Sequence, residues 1–344
     1  MSEIGKIMLK EIHEIPLVLT SLNKMFTKEH PAVKQIRNLD FHSVTILARG
    51  TSDNAAHFLK YLIEVKMGLP CGLASPSAAT LYHSKFNYRD TLVVALSQSG
   101  QSTDLLTFAK AAKAGGGFLV SITNDAESPL AKLSDQHINI QAGTEVAVPA
   151  TKSYVGQLLA SYMFVNYLKD FPNQTEEIIE SVLSATSKAE EISNFVEQLN
   201  VSSPLYILGR GYSYPNAKEF ALKLQETCLI PVQGMSTSDF LHGPIASLTT
   251  NSQVIFISPE HSPDSAFGEA PERVRSITKR VFWIGKGASN IGGEAVISAG
   301  SSFSEVEASI SDAILFQQVT HKLATKLGLD PDKPKGLNKV TITR

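Results

Sequence analysis

Short apolar runs alternate with longer segments of helical period from Ser43 onward. "SVTIL", "LVVAL" and "FLVSIT" (from Phe118) are five or six residues long and rich in β-branched side chains. Such runs read as buried strands. Between them, Asp53 to Met67 sets Ala56, Leu59, Ile63 and Val65 at helical spacing, and Ser102 to Ala114 predicts a second helix. The pattern resumes with "LYILG", a helix from about Tyr214 to Leu229, "QVIFIS" and "RVFWIG", and a helix over Asp312 to Leu327 closes it. Residues before Asp40 predict helices packed on the outside. Asn173 to Leu199 is a polar, Glu-rich helical stretch expected to link two halves. "EHSPDSAFGEAPE" reads as a loop. Strands separated by helices predict an α/β chain whose parallel sheets carry helices on both faces.

The two halves repeat. "YILGRGYS" at Tyr206 echoes "TILARGTS" at Thr45, 161 positions earlier. The same offset carries Pro70 onto Pro231, and Val93, Leu96 and Ser97 onto Val254, Ile257 and Ser258. A duplicated unit is the reading that accounts for three landmarks at one offset. It predicts five segments: an N-terminal helical segment (1–40), a first α/β domain (41–172), a linking helix (173–199), a second α/β domain (200–330) and a C-terminal tail (331–344).

Composition narrows the class. The chain has 344 residues, 43% hydrophobic and 19% charged, with a formal net charge of −2. It can bury a sizeable core, and it has no basic block of the kind a nucleic-acid site needs. Cys71 and Cys228, the two cysteines, have no metal-type spacing and fit a reducing compartment. The opening "MSEIGKIMLKEIHEIP" lacks the apolar core of a signal peptide, and Ser153 to Leu168 is too short and polar to span a bilayer. The expectation is a soluble cytoplasmic protein with no nucleic-acid or membrane partner.

Ligands of parallel α/β sheets bind beyond the carboxyl ends of the strands. "ARGTS" and "LSQSG" fall at such ends, each followed by a helix whose first amides point back to the loop. A helix start attracts anions. The hydroxyls of Ser52, Ser97, Ser99 and Ser102 add donors, and Gly100 allows close backbone approach. No lysine lies in these loops, so they do not form a nucleotide P-loop. A single phosphoryl group on a small molecule is the predicted ligand; the plainer reading makes Ser99 or Ser102 a helix cap.

"RGTSDNA", "LSQSGQSTD", "AGTEVAVPATKS", "LGRGYSYPNAKEFALKLQE", "DFLHGP" and "LNKVT" stand in one order. In that order and spacing the chain resembles the sugar-isomerase (SIS) family, in the form of the isomerase half of glucosamine-6-phosphate synthase, from Met8 almost to its end. The glutaminase half of the synthase is expected to be absent. The resemblance implies two duplicated, doubly wound, flavodoxin-like SIS domains with flanking helices. It implies phosphate binding by Ser97, Gln98, Ser99 and Ser102, with Gly50, Thr51 and Ser52 lining the sugar and Val148 and Ala150 contacting it. Glu226 matches the family's proton-transfer base, with Lys223 beside it, His242 its ring-opening residue, and Lys339 its Schiff-base lysine. Two positions depart from the family: Arg49 stands where it has Cys, and Ala150 where it has Ser. Spacing alone says less. It makes Lys223 and Glu226 a solvated ion pair, His242 a turn residue before Gly-Pro, and Lys339 part of a solvated tail. Lys152 reads as structural.

These residue types suit aldose–ketose chemistry. Opening a hemiacetal wants a group titrating near neutrality, moving a proton between C1 and C2 wants a carboxylate, and stabilising charge on nitrogen or oxygen suits lysine. No metal or other cofactor is expected. The resemblance implies a phosphosugar isomerase, foremost a deaminase converting glucosamine 6-phosphate and water to fructose 6-phosphate and ammonia. A galactosamine-6-phosphate deaminase and a fructosamine-phosphate deglycase are the enzymic alternatives. A non-catalytic sugar-phosphate sensor is the alternative of another class, disfavoured by the Glu and His and by an N-terminus expected to be too short for a DNA-binding domain. The family also implies a homodimer with composite sites, His242 reaching the neighbouring subunit.

Overall fold

The structure, a computed structural model, describes residues 4–258, 267–285, 294–299 and 304–339. Two compact units make it up. One comprises Leu17–Glu145, Lys152–Thr175 and Asn338–Arg344, the other Met1–Pro16, Val146–Thr151 and Glu176–Leu337.

The first sheet belongs to the former. Its strands are β1 (Ser43–Leu47), β2 (Cys71–Leu73), β3 (Thr91–Ser97), β4 (Phe118–Thr123) and β5 (Gln136–Asn139), all parallel, in the order β2-β1-β3-β4-β5. Leu92 to Ser97 are buried without a break, as expected of a central parallel strand covered on both faces. Helix α1 (Thr51–Leu62) follows β1 and α2 (Thr103–Ala114) follows β3. On one face Leu105, Phe108 and Ala109 of α2 pack against Val93, Ala95 and Leu119. On the other, α1 lies along α3 (Lys152–Leu168), which is buried from Lys152 to Asn166. A helix apolar all round belongs in an interior, and α3 fills one.

The second sheet has β6 (Leu205–Gly209), β7 (Val232–Ser236), β8 (Gln253–Ile257), β9 (Arg280–Ile284) and β10 (Ala295–Ile297), again parallel, ordered β10-β9-β8-β6-β7. Counted within each half, both sheets run 2-1-3-4-5, the flavodoxin-like order. Helix α4 (Tyr214–Cys228) follows β6, and α6 (Glu305–Lys326) packs along it, with Phe220 stacked on Phe316 at 5.4 Å. Between β7 and β8 the short α5 (Thr237–Leu241) ends at His242.

Some local expectations are corrected. The helix from Asp53 ends as such at Leu62 and continues as a π-helical turn over Ile63–Met67, which leaves Val65 65% exposed rather than on the buried face. The stretch 173–199 is two helices, Thr175–Thr186 and Ala189–Gln198. At the break Thr186 and Ser187 hydroxyls donate back to the carbonyls of Leu183 and Ser184, ending the first helix. The closing helix starts at Glu305, seven residues earlier than its periodicity suggests. The expected loop "EHSPDSAFGEAPE" lies largely outside the described residues, and its end is helical, from Ala270 to Ile277. Of "LNKVT", Val340 and Thr341 lie outside them too.

Candidate functional site

At the carboxyl edge of the first sheet, β1 runs through Arg49 into Gly50, whose φ of 56° lets the chain turn sharply into α1. Its carbonyl accepts from the amides of Asp53 and Asn54, so α1 starts tightly and its opening amides sit at the strand end. Ser52 is buried, and its Oγ accepts from Gln157 Nε2 of α3 at 3.0 Å.

The β3 end builds the second part. Ser97 Oγ accepts from Gly100 N at 3.0 Å and Ser99 Oγ from Gln101 N at 3.3 Å, folding the loop on itself. Each hydroxyl keeps its own proton to donate. Gly100, at φ 63°, has no room for a side chain, because a Cβ there would stand 2.3 Å from Ser128 Oγ. Ser102 sits at the N-cap of α2, yet its hydroxyl makes no capping bond. The helix-cap reading therefore fails for Ser102, and in the first turn of α2 Leu105 N donates instead to Asp104 Oδ1 at 2.9 Å. Gln98 is half-buried, and its carbonyl accepts from Asn124 N at 3.1 Å.

Arg49 Nε donates to Asp104 Oδ2 at 2.8 Å, and the Asp104 side chain is 4% exposed. This charge-assisted bond ties the β1 turn to the first turn of α2, so the two hydroxyl-bearing loops share one anchor.

Beyond β5, Asn124 holds the next loop. Its side chain donates to Gly143 O at 2.6 Å and accepts from Ala142 N at 2.8 Å. That loop leads to Glu145, whose side chain is fully buried. One carboxylate oxygen accepts from Ser153 N at 3.1 Å, the other from Ser153 Oγ at 2.7 Å and from Lys339 Nζ at 2.8 Å. Lys339 is therefore no solvated tail. Ser153 and Gln157 are four apart on α3, neighbours on one helix face. The chain of contacts runs from Lys339 through Glu145 and Ser153 to Gln157 and Ser52.

The other unit holds the remaining residues. On α4, Lys223 is 1% exposed and lies between two carboxylates, Glu226 at 2.6 Å and Glu219 at 3.4 Å. Burial pulls its pKa down, but Glu219 and Glu226 together outweigh that, and the net shift is upward. This is not the solvated pair that spacing suggests: Glu219 is fully buried and Glu226 is 22% exposed. Glu226 thus presents an edge to solvent while Lys223 fixes its orientation. His242 is exposed, and no hydrogen bond of its ring occurs among the described residues; its backbone amide donates to Asp239 O. Val148 N donates to Asp332 O at 3.0 Å, and both Val148 and Ala150 are half-buried. Lys152, on α3 of the first sheet's unit, is buried.

The carboxyl edge of the second sheet is chemically different. Glu305 accepts from Tyr212 N at 3.2 Å, in the turn equivalent to that after β1. Asp312 places a carboxylate oxygen 2.7 Å from where a Cβ on Gly285 would lie, just past β9. Glu305 and Asp312 of α6 thus stand beside the turns that follow β6 and β9. Two open clefts, of about 420 and 400 Å³, lie instead at the amino ends of the two sheets, away from these groups. Among the described residues no cluster of three or more His, Cys, Asp or Glu side chains could hold a metal ion, and no helix is long and apolar enough to cross a membrane.

Residues 40–167 and 198–266 match the model of the SIS domain. The chain belongs to the SIS domain family. This SIS chain is 32% identical over 352 residues to the glutamine–fructose-6-phosphate aminotransferase (isomerizing) of Aquifex aeolicus (strain VF5), an alignment covering 98% of this chain and 57% of the relative. The corresponding enzyme of Methanothermobacter thermautotrophicus is 30% identical, over 97% of this chain and 57% of its own length. The SIS chain thus spans little more than half the length of these relatives. Among solved structures, the C-terminal domain of glucosamine-fructose-6-phosphate aminotransferase from Francisella tularensis superimposes with a TM-score of 0.85 at 26% identity, over 95% of this chain and 98% of that one. Glucosamine-6-phosphate deaminase from Thermotoga maritima shares the fold, with a TM-score of 0.78 at 22% identity over 98% and 100% of the two chains.

Sequence reasoning missed Glu145, Ser153, Gln157, Asn124, Glu219 and Asp104. Glu145 lies inside the quoted "AGTEVAVPATKS" and Glu219 four residues before Lys223 on one helix face, so the signals were present but weak. Asn124 and Gln157 carry no signal without the fold.

Proposed function

We propose that this SIS chain is a phosphosugar aldose–ketose isomerase that acts as a deaminase, converting glucosamine 6-phosphate and water to fructose 6-phosphate and ammonia. The observation that carries it is Glu226: a partly accessible carboxylate held at 2.6 Å by a buried lysine. Moving a proton between adjacent carbons requires such a base in a fixed orientation. The donors at Ser97, Gln98, Ser99 and Ser102, at a strand end and a helix start, suit a phosphate anchor. His242 suits ring opening, and Lys339 an imine with the ketose. The names of the relatives, which speak of fructose 6-phosphate and glucosamine 6-phosphate, support this substrate class.

In Glu226→Gln, ammonia release from glucosamine 6-phosphate falls by about 10²–10⁴, since a positioned base and not a binding contact is removed. Exchange of the C2 hydrogen with solvent stops, and KM changes little because the base acts chiefly in the transition state. Near-full deamination by a folded Glu226→Gln protein overturns the assignment. Ammonia release tested across glucosamine 6-phosphate, galactosamine 6-phosphate and fructosamine phosphates decides among the enzymic alternatives. Binding without turnover of any of them leaves the sensor.

A further inference from the structure

We propose that Glu145 is the proton acceptor that turns Lys339 from an ammonium into a nucleophile, and that it fixes this amine beside the hydroxyl-bearing loops of the first sheet. The proposal rests on the reading of Lys339 as the imine-forming amine.

Three features of the site carry it. First, contact is direct: Glu145 meets Lys339 Nζ at 2.8 Å, although 194 positions separate them in sequence. Second, the carboxylate is preorganised. Its side chain is 0% exposed and is held by both the amide and the hydroxyl of Ser153, so it has one orientation. Third, the place is right. Asn124 links the loop before Glu145 to the backbone of Gln98, and α3 links Ser153 to Gln157, which holds Ser52. An i,i+4 step on a helix spans about 5–6 Å between side-chain roots. These links tie Lys339 and the loops that carry Ser52, Ser97 and Ser99 to the same carboxyl edge of the first sheet.

The step balances without any added reagent. The ammonium of Lys339 gives one proton to the Glu145 carboxylate. The freed lone pair forms a bond to C2 of the ketose, and the carbonyl π pair moves to oxygen, which takes a proton from the nitrogen. Glu145 then returns its proton to that hydroxyl, which leaves as water while the nitrogen lone pair closes C=N. The products are a protonated imine and water, and the carboxylate is regenerated.

The test is reductive trapping of fructose 6-phosphate with cyanoborohydride, read as the mass of the Lys339 peptide, alongside binding of glucitol 6-phosphate, which has no carbonyl. Glu145→Gln keeps the size and can keep both bonds to Ser153. In it, adduct formation falls by about 10²-fold, the lower end of what a positioned base supplies, while glucitol 6-phosphate binds within about twofold of wild type. Glu145→Asp keeps the charge with a shorter reach and falls between the two. An adduct formed at the wild-type rate in Glu145→Gln, or in Glu145→Asp if the former does not fold, overturns the proposal. So does a parallel loss of glucitol 6-phosphate binding, which makes Glu145 merely structural. If wild type deaminates glucosamine 6-phosphate but forms no adduct at Lys339, the imine reading itself fails, and this role fails with it.

Discussion

Removing the hydroxyls of Ser97 and Ser99 tests the phosphate anchor most directly. In the free protein both oxygens already accept from backbone amides, Gly100 N at 3.0 Å and Gln101 N at 3.3 Å. Their protons are left to donate, and a loop of donors at a helix start is complementary to a phosphate dianion. A hydrogen bond to a charged group contributes about 1.5–3 kcal/mol. The double variant Ser97→Ala/Ser99→Ala therefore loses about 3–6 kcal/mol of binding, about 10²–10⁴ in Kd. The turn bonds are lost as well. Each neutral bond is worth about 0.5–1.5 kcal/mol, so the fold loses about 1–3 kcal/mol, which a melting curve detects and a stable domain survives. Calorimetric titration with glucitol 6-phosphate, compared with unphosphorylated glucitol, separates the anchor from the sugar contacts. The large loss is expected for the phosphorylated polyol alone. An unchanged Kd for glucitol 6-phosphate in a folded double variant refutes the anchor.

Asp312 gives a pH prediction with a definite sign: burial lifts its carboxyl from 3.8 to about 8, and no hydrogen bond or ion pair relieves it among the described residues. Because the folded state holds this proton after the unfolded state has lost it, stability falls as pH rises from about 3.8 to about 8, by about 1.4 kcal/mol per unit and about 4 kcal/mol by pH 7. Asp312→Asn should flatten that slope in urea melts at pH 4–8 and be the more stable protein at pH 7; equal slopes in the two proteins contradict the burial effect. For assembly, mixing inactive Glu226→Gln and His242→Ala protomers should restore part of the activity if the two side chains serve one site from different subunits, and no recovery after verified subunit exchange places both in one chain.

Much was legible in the chain itself. Alternating strand and helix periods, and a repeat at an offset of 161, predict two parallel sheets covered by helices, because burial on both faces is a local property, whereas the strand order and the short strands β2, β5, β7 and β10 were decided by the fold. Hydroxyls clustered after β1 and β3 mark the strand ends for the same reason. Where local signals compete, the pattern misleads. Thr186 and Ser187 break a stretch that reads as one helix, and a π turn rotates Val65 out of its expected face. Pairings between distant segments were decided by tertiary structure alone. Lys339 meets Glu145, Arg49 crosses to Asp104, and Gln157 reaches Ser52, each across dozens to nearly two hundred residues. The burial that turns Lys223 and Glu226 from an ordinary helix pair into a clamped carboxylate also belongs to the fold, since α4 buries Glu219 and Lys223 only once α6 and the second sheet pack against it. Periodicity states which face of an element is buried, but not which polar groups the burial brings together.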